Sequence, residues 1–476
     1  MIQVLNRGEM GGLPVINFHA AGIDVGSTVL AISYTDGRGN QCLCTTGCFT
    51  KDLRELVSLF EKEGVKDVAM EATGVYWMSL YEVLEEAGIK VTVIHPGHYK
   101  NSDYVKTDGN DSIWIHQYKS CGILRNSHIA PEHYRELRNY IHERNVVQTQ
   151  KSETLTRIQR ILTLMNLKIQ HLISDIEGVG GMKILRAIAS GTHDAETLVD
   201  LININQFKAS REDLVASLEG IYKTQFVNML RMKLVEYDFF VSQMKNYEVF
   251  IEEVLKKIAL AVGKPVMKPV VEQVAESGKE SEKKKGKKRE KRGRKPAEVG
   301  SKYCRKNQYH FDVRSYLHQI LGVDLTVLEG FDEKMLLDIV CVTGVDMSKW
   351  STAQHFTSWL NLSPRRKQTG GKYIGNETRK TNNPATQSFR ISANSLSNSK
   401  GHLGVSYRRL SSKQGPKTAT KAIARKMAVL FYTLVKNQQE YDPTITAKKM
   451  KEQEEKKIKK LMKAAEKMGY TIQKIA

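Results

Sequence analysis

Nowhere in this sequence do eighteen apolar residues follow one another, so no membrane-spanning helix is expected. Cysteine is scarce, with six residues in a chain of 476, at positions 42, 44, 48, 121, 304 and 341. That density excludes a disulfide framework and fits the reduced thiols of a cytoplasmic protein. Cys42, Cys44 and Cys48 form no paired Cys-x-x-Cys pattern and have no flanking histidines, which argues against zinc. Cys42 and Cys44 read better as one face of a strand. Met1 to Phe18 lacks a basic region followed by an apolar stretch and a small-residue cleavage site, so no secretory signal is expected.

Positive charge is what the sequence has in excess, with a formal net charge of +21. Lys279 to Lys295 carries eleven Lys or Arg against three Glu, and Ala447 to Ala476 carries ten Lys against four Glu. Two solvated charge runs therefore supply most of the excess. The remainder is still about +7, which suits basic surfaces presented to a polyanion.

The order of signals divides the chain. Residues 1–16 read as a tail and 17–125 as a domain of alternating strands and helices. Residues 126–262 read as long charged helices, 263–308 as a basic disordered linker, 309–445 as a mainly helical domain and 446–476 as a basic helical tail. Within 17–125, strands are predicted at Asn17–Asp24, Thr28–Tyr34 and Gln41–Phe49, with a hairpin turn at Asp36-Gly37-Arg38-Gly39-Asn40. A helix over Lys51–Glu63 follows, with Leu53, Leu56, Val57 and Phe60 on one face. Then come a strand at Lys66–Met70, a helix at Tyr76–Ala87, a strand at Lys90–Ile94 and a helix at Asn110–Ser120. Three strands in meander and then helix–strand–helix–strand–helix is the order of the α/β ribonuclease H-like fold.

Further on, 131–166 reads as a long, charged helical stretch. Arg211–Val262 reads as a second, with Leu214, Leu218, Tyr222 and Phe226 at helical spacing, and the two suggest a coiled-coil arm and a dimer interface. Glu177-Gly178-Val179-Gly180-Gly181 opens an apolar helix; such a turn suits a backbone phosphate and suits a plain helix junction equally well.

Four carboxylates carry the chemistry. Asp24 ends the first predicted strand, in Gly22-Ile23-Asp24-Val25-Gly26, and Glu71 ends the fourth, in Met70-Glu71-Ala72-Thr73-Gly74. Asp108 and Asp111 lie three apart at the start of a helix, in Lys106-Thr107-Asp108-Gly109-Asn110-Asp111, hence on one side of it. Each alone is more often a turn former or a helix cap. Together they suit Mg²⁺ or Mn²⁺, because four carboxylates without a cation repel one another and hard oxygen donors select hard ions. Two such ions activate an attacking oxygen and stabilise a leaving one in phosphodiester transfer. Lys106 beside them suits phosphate steering or plain solvation.

The second candidate is the loop Asn361–Pro384, containing Ser363-Pro364-Arg365-Arg366-Lys367-Gln368-Thr369-Gly370-Gly371-Lys372. A hydroxyl followed by two glycines permits close backbone approach to a phosphate, and Arg365, Arg366, Lys367 and Lys372 neutralise charge there. A phosphate-gripping loop with no covalent role fits the same residues. Downstream, Arg379, Lys380, Arg408, Arg409, Lys417, Lys421 and Arg425 suit a nucleic-acid face or a solvated helix surface.

These motifs resemble the DEDD transposases of the IS one-ten family, the bridge-RNA-guided recombinases. The resemblance rests on Gly22-Ile23-Asp24, Met70-Glu71-Ala72-Thr73-Gly74, Lys106-Thr107-Asp108 with Asp111, and Asp175 to Gly191. It continues from Ile320-Leu321-Gly322-Val323-Asp324-Leu325 through Thr343 to Trp350 and Gly370-Gly371-Lys372 to Tyr441. It implies a RuvC-like domain, a coiled-coil arm and a C-terminal transposase domain. It further implies Mg²⁺ on Asp24, Glu71, Asp108 and Asp111, and a covalent attack on DNA by the residue at position 369. It implies donor and target double-stranded DNA, a structured guide RNA, and a dimer or tetramer in synapsis. Two departures stand out. Thr369 occupies the family's serine position, where its methyl crowds in-line attack. Glu329-Gly330-Phe331-Asp332 lacks the family's second glycine. The residues thus leave a working Thr369, a degenerate element, or use of another hydroxyl such as Ser363. A metal-dependent nuclease or junction resolvase, and an inactive nucleic-acid binder, are the competing readings.

Overall fold

The computed structural model describes residues 3–5, 15–94, 108–124, 126–204, 207–263, 308–377, 381, 383–442 and the single positions 458, 462 and 466. The expected basic linker and C-terminal tail lie outside the described residues except at their edges and these single positions. The chain separates into two compact units, Met1–Ile129 and Ala130–Ala476.

The first unit is built on a six-stranded sheet of β1 (Gln3–Leu5), β2 (Ala20–Val25), β3 (Val29–Thr35), β4 (Gln41–Gly47), β5 (Asp67–Glu71) and β6 (Lys90–Ile94), in the order β1-β4-β3-β2-β5-β6. β2, β3 and β4 form an antiparallel meander, β5 joins β2 in parallel, and β6 joins β5 in parallel. This mixed sheet and its helices fit a ribonuclease H-like fold. The turn between β3 and β4 is held by Asp36, whose Oδ1 accepts from the Arg38 and Asn40 N–H groups at 2.9 and 2.7 Å, with Gly39 at φ +82°. One expectation needs correction. Gln3–Leu5, read as tail, pairs antiparallel with β4 as an edge strand.

The sheet's two faces are packed differently. Helix α1 (Thr50–Glu63) buries Leu53, Leu56 and Phe60, and α2 (Trp77–Glu86) buries Leu80 and Leu84, against one face. Helix α3 (Asp108–Ser120) packs on β2 and β3. That approach requires Gly22, because a Cβ there would lie 2.2 Å from the His116 backbone nitrogen and 2.5 Å from the Ser112 carbonyl oxygen.

In the second unit α4 (Glu132–Leu164) and α9 (Thr224–Val262) pack along one another. Arg144 meets Glu248 and Thr154 meets Glu236, so the pair runs antiparallel. At one end it packs with α5 (Ile169–Leu172), α6 (Val179–Ser190), α7 (Ala195–Asp200) and α8 (Arg211–Ala216). At the other, Tyr134, Leu137 and Ile141 of α4 and Ile251, Val254, Leu255 and Ile258 of α9 share one core with the C-terminal helices. These are α10 (Val313–Leu321), α11 (Glu333–Thr343), α12 (Ala353–Trp359), α13 (Pro384–Ser395), α14 (His402–Gln414) and α15 (Pro416–Asn437). Segments 126–262 and 309–445, distinct in sequence, thus contribute side chains to one core.

The helical region Arg211–Val262 holds two helices. It breaks between α8 and α9, where Lys168 N–H donates to the Ser217 carbonyl at 2.8 Å and Ile221 N–H donates to the Met165 carbonyl at 2.8 Å. Gly220 sits so close to Leu167 and the Met165 carbonyl that a side chain has no room. Leu214, Leu218, Tyr222 and Phe226 serve the same small core, but from three different segments.

At the shared end, Arg144 and Glu248 are an almost fully buried ion pair, with Nη2 2.6 Å and Nε 2.8 Å from Oε1. The Arg144 guanidinium lies 4.1 Å from the centre of the Tyr309 ring, and the Glu248 Oε2 accepts from the His310 N–H at 2.9 Å. The chain thereby re-enters the described structure fastened to the long helices.

Candidate active site

Side chains alternate between the faces of a strand. Ala21, Ile23 and Val25 of β2, with Val68 and Met70 of β5, lie in the core beneath α1 and α2. Gly22 and Ala69 take the other face, Gly22 against the α3 backbone and Ala69 in contact with Ile115. Asp24 and Glu71 share their parity and so also face α3. Ile23 pairs with Met70 in the parallel register, which sets Asp24 and Glu71 at the next position on neighbouring strands, about 5 Å apart in backbone spacing. Glu71 is only 5% exposed and Asp24 is half-buried.

The same helix brings the other pair of acids. Asp108 opens α3 and Asp111 lies in its first turn, half-buried, one residue before the Ser112 whose carbonyl abuts Gly22. The sheet thus directs Asp24 and Glu71 toward the helix that bears Asp108 and Asp111. Lys106 and the side chain of Asp108 lie outside the described residues. Among the described residues no three His, Cys, Asp or Glu side chains are gathered closely enough to hold a metal ion.

Sequence reasoning missed His116, which fixes α3 on this face. It is fully buried, with Nδ1 2.9 Å from Ser33 Oγ and Nε2 3.1 Å from Thr35 Oγ1, while Gln41 Nε2 donates to Ser33 Oγ at 2.9 Å. Burial pushes the imidazole pKa down to about 4, against a smaller opposing effect of the backbone at Ala20. A neutral ring is therefore the form that holds the helix. No spacing in the sequence marks it, because its partners come from β3 and β4 some eighty residues earlier.

In the second unit the polar loop expected at Asn361–Pro384 contains an antiparallel ribbon, β7 (Arg365–Thr369) and β8 (Lys372–Glu377). Gly370 and Gly371 make its two-residue turn at φ +55° and +76°, a conformation that side chains rarely adopt. Thr369 pairs with Lys372 across that turn, which puts hydroxyl and cation on one face of the ribbon. Both are exposed, as are Lys367, Gly370 and Gly371. Ser363 is instead half-buried before the ribbon, its Oγ 3.0 Å from Thr357 Oγ1. Arg379 and Lys380 lie outside the described residues, as do the side chains of Arg365 and Arg366.

Other sequence features take structural roles. Gly181 packs so tightly on the Ile176 carbonyl that a Cβ would lie 2.2 Å from its oxygen, which accounts for one glycine of the Gly-rich turn. Beside it Glu177 accepts from Tyr237 Oη at 2.7 Å and pairs with Lys151, tying the turn to α4 and α9. Arg408 donates to the Ser397 and Ser399 carbonyls at 3.0 and 2.5 Å. Glu329, in the turn that lacks a second glycine, accepts from the Leu403 N–H at 3.0 Å and caps the start of α14. An anion of the chain's own already occupies that helix end.

The span 21–167 matches the model of the IS110-type DEDD transposase domain, described as a transposase. Asp24, Glu71, Asp108 and Asp111 all fall inside the matched span. No curated protein matches the chain at a significant level.

Proposed function

We propose that this chain, whose residues 21–167 match the IS110-type family of transposases, cuts and rejoins the DNA of its insertion sequence with guidance from a structured RNA. The observation that carries the reading is the common face of Asp24 and Glu71, at neighbouring ends of β2 and β5, beneath the helix that Asp108 opens.

Hard oxygen donors, one of them nearly buried, suit Mg²⁺ or Mn²⁺. Asp24, Glu71, Asp108 and Asp111 would hold the metal, which would supply Lewis-acid stabilisation of charge on the phosphate oxygens. His116 stays neutral and keeps α3 seated, so the helical pair of acids does not drift from the strand pair. The Thr369 hydroxyl gives up its proton and attacks the DNA phosphorus, and the P–O bond to the departing deoxyribose oxygen breaks as the phosphothreonine forms. That oxygen leaves as a free hydroxyl once protonated, and Lys372 beside Thr369 offsets the charge on the nonbridging oxygens. Lys367 and the neighbouring Arg365, Arg366, Arg379 and Lys380 hold the phosphate backbone. The antiparallel α4–α9 pair serves as a coiled-coil arm through which copies assemble, since strand exchange requires several cuts.

The test combines purified protein, RNA transcribed from the DNA flanking the reading frame, and donor and target duplexes. Joined product is expected only with Mg²⁺ or Mn²⁺, and a protein–DNA adduct is expected on denaturing gels. Thr369→Ala should lose adduct and joining. If that variant still cuts through activated water, the protein is a metal-dependent nuclease or resolvase instead. Full joining by Asp24→Ala would sink both readings.

A further inference from the structure

The ribbon has a feature that charge neutralisation leaves unexplained. Tyr373 and Ile374, next to its turn, are 58% and 64% exposed. Around them the ribbon carries Arg365, Arg366, Lys367 and Lys372 against a single Glu377. Two adjacent large apolar side chains held in water at the tip of a cationic ribbon gain nothing for folding.

The register shows how they are presented. Lys367 pairs with Gly375 and Gln368 with Tyr373, so Ile374 is an extra residue, bulged out of the ladder. Gly375 takes φ +151° beside it. A bulge breaks strict alternation, increases local twist and re-aims a side chain. Here it is placed two residues from Lys372 and directly across from the strand that ends in Thr369.

We propose that β7–β8 is a DNA wedge: its cations seat the ribbon on duplex phosphates, and Tyr373 and Ile374, near its tip, enter between base pairs. Charge selects the partner, because an apolar protein surface has no use for this density of cations and a polyanion does. Chemistry selects the role. An aromatic ring stacks on any base, and an aliphatic wedge unstacks a base step and kinks the duplex. Unstacking also exposes the phosphate to in-line attack by a hydroxyl that carries an extra methyl, the one departure of this chain that makes attack harder.

The proposal rests on the DNA-joining reading for the role of Thr369, but its test needs no chemistry. Full-length protein is bound to relaxed closed-circular plasmid without divalent metal, a metal-independent type IB topoisomerase then relaxes the complex, and the linking number of the purified plasmid is read. Wild-type protein should leave the plasmid underwound in proportion to protein bound. Tyr373→Ala and Ile374→Ala, both at exposed positions, should abolish the unwinding, and Tyr373→Ala should also weaken binding on the order of tenfold. Thr369→Ala should unwind as the wild type does, so loss of joining with retained unwinding tells against the nucleophile alone. Wild-type binding without unwinding overturns the wedge, as does unwinding that survives Tyr373→Ala with Ile374→Ala. Loss of self-association in that double variant, with unwinding absent in the wild type, also overturns it and makes the ribbon a contact between copies.

Discussion

The acidic face of the first unit and the ribbon of the second carry their chemistry on opposite physical terms. Asp24, Glu71 and Asp111 are set by parity on two strands and by a helix seated through a missing Cβ and a buried histidine. Thr369 and Lys372 are set only by a two-residue turn, and almost nothing packs on them. Under the proposed function, the difference teaches what each site needs. Carboxylates that share a cation must be held against their own repulsion, and only a packed scaffold does so. A hydroxyl that must reach a phosphate on a bulky duplex has to stand clear of the protein.

Several substitutions press on that contrast. The largest effect is expected from Asp24→Ala, which should lower strand joining on the order of a thousandfold while the first unit still unfolds cooperatively. Calorimetry beside the joining assay separates the two. Next comes acid. His116 titrates at about 4 in the folded protein against 6.5 unfolded, so the unfolded chain binds more protons between those values. Stability of the first unit is therefore whole above pH 6.5 and should drain as pH falls toward 4, by about 3 kcal/mol in all. His116→Gln should flatten that slope, and a slope unchanged by it would contradict the account.

Gly22→Ala should cost about 2–3 kcal/mol, because both atoms it meets belong to the α3 backbone and cannot step aside. Joining should fall with it, since α3 carries Asp108 and Asp111. The smallest effect belongs to the ribbon. Gly371→Ala meets no neighbouring atom but must hold a positive φ, which costs about 1–2 kcal/mol locally. Global Tm should stay level while joining falls. An equal loss of Tm in both glycine variants would erase the contrast.

Much of the first unit was legible in sequence because its signals are local. Gly-rich turn chemistry at Asp36–Asn40 announced the hairpin, and Leu53, Leu56 and Phe60 announced the face of α1. Asp24 and Glu71 could be placed at strand ends from the apolar runs before them. What stayed hidden depends on distant partners. Nothing near Gly22 signals the helix that will lie on it, and nothing near His116 signals Ser33 and Thr35. Gln3–Leu5 is too short to show an alternation. The ribbon escaped because β7 is polar throughout and the apolar Tyr373 and Ile374 of β8 are adjacent rather than alternating, and so it reads as loop. The Arg211–Val262 stripe misled, because Leu214 and Phe226 reach one core from separate segments with helical spacing by coincidence.

The clasp of buried Arg144 and Glu248 on exposed His310 bears on a part of the chain that it does not contain. Glu248 lies fifteen residues before Gly263, where the long helix ends, so about 22 Å separates the point of departure from the point of return. Some seven extended residues would bridge that gap, whereas positions 264–307 supply forty-four. Connection alone does not explain such a length. Trimming the segment to a short neutral bridge should therefore leave both cores intact, and whatever is lost with it belongs to its eleven clustered cations rather than to folding.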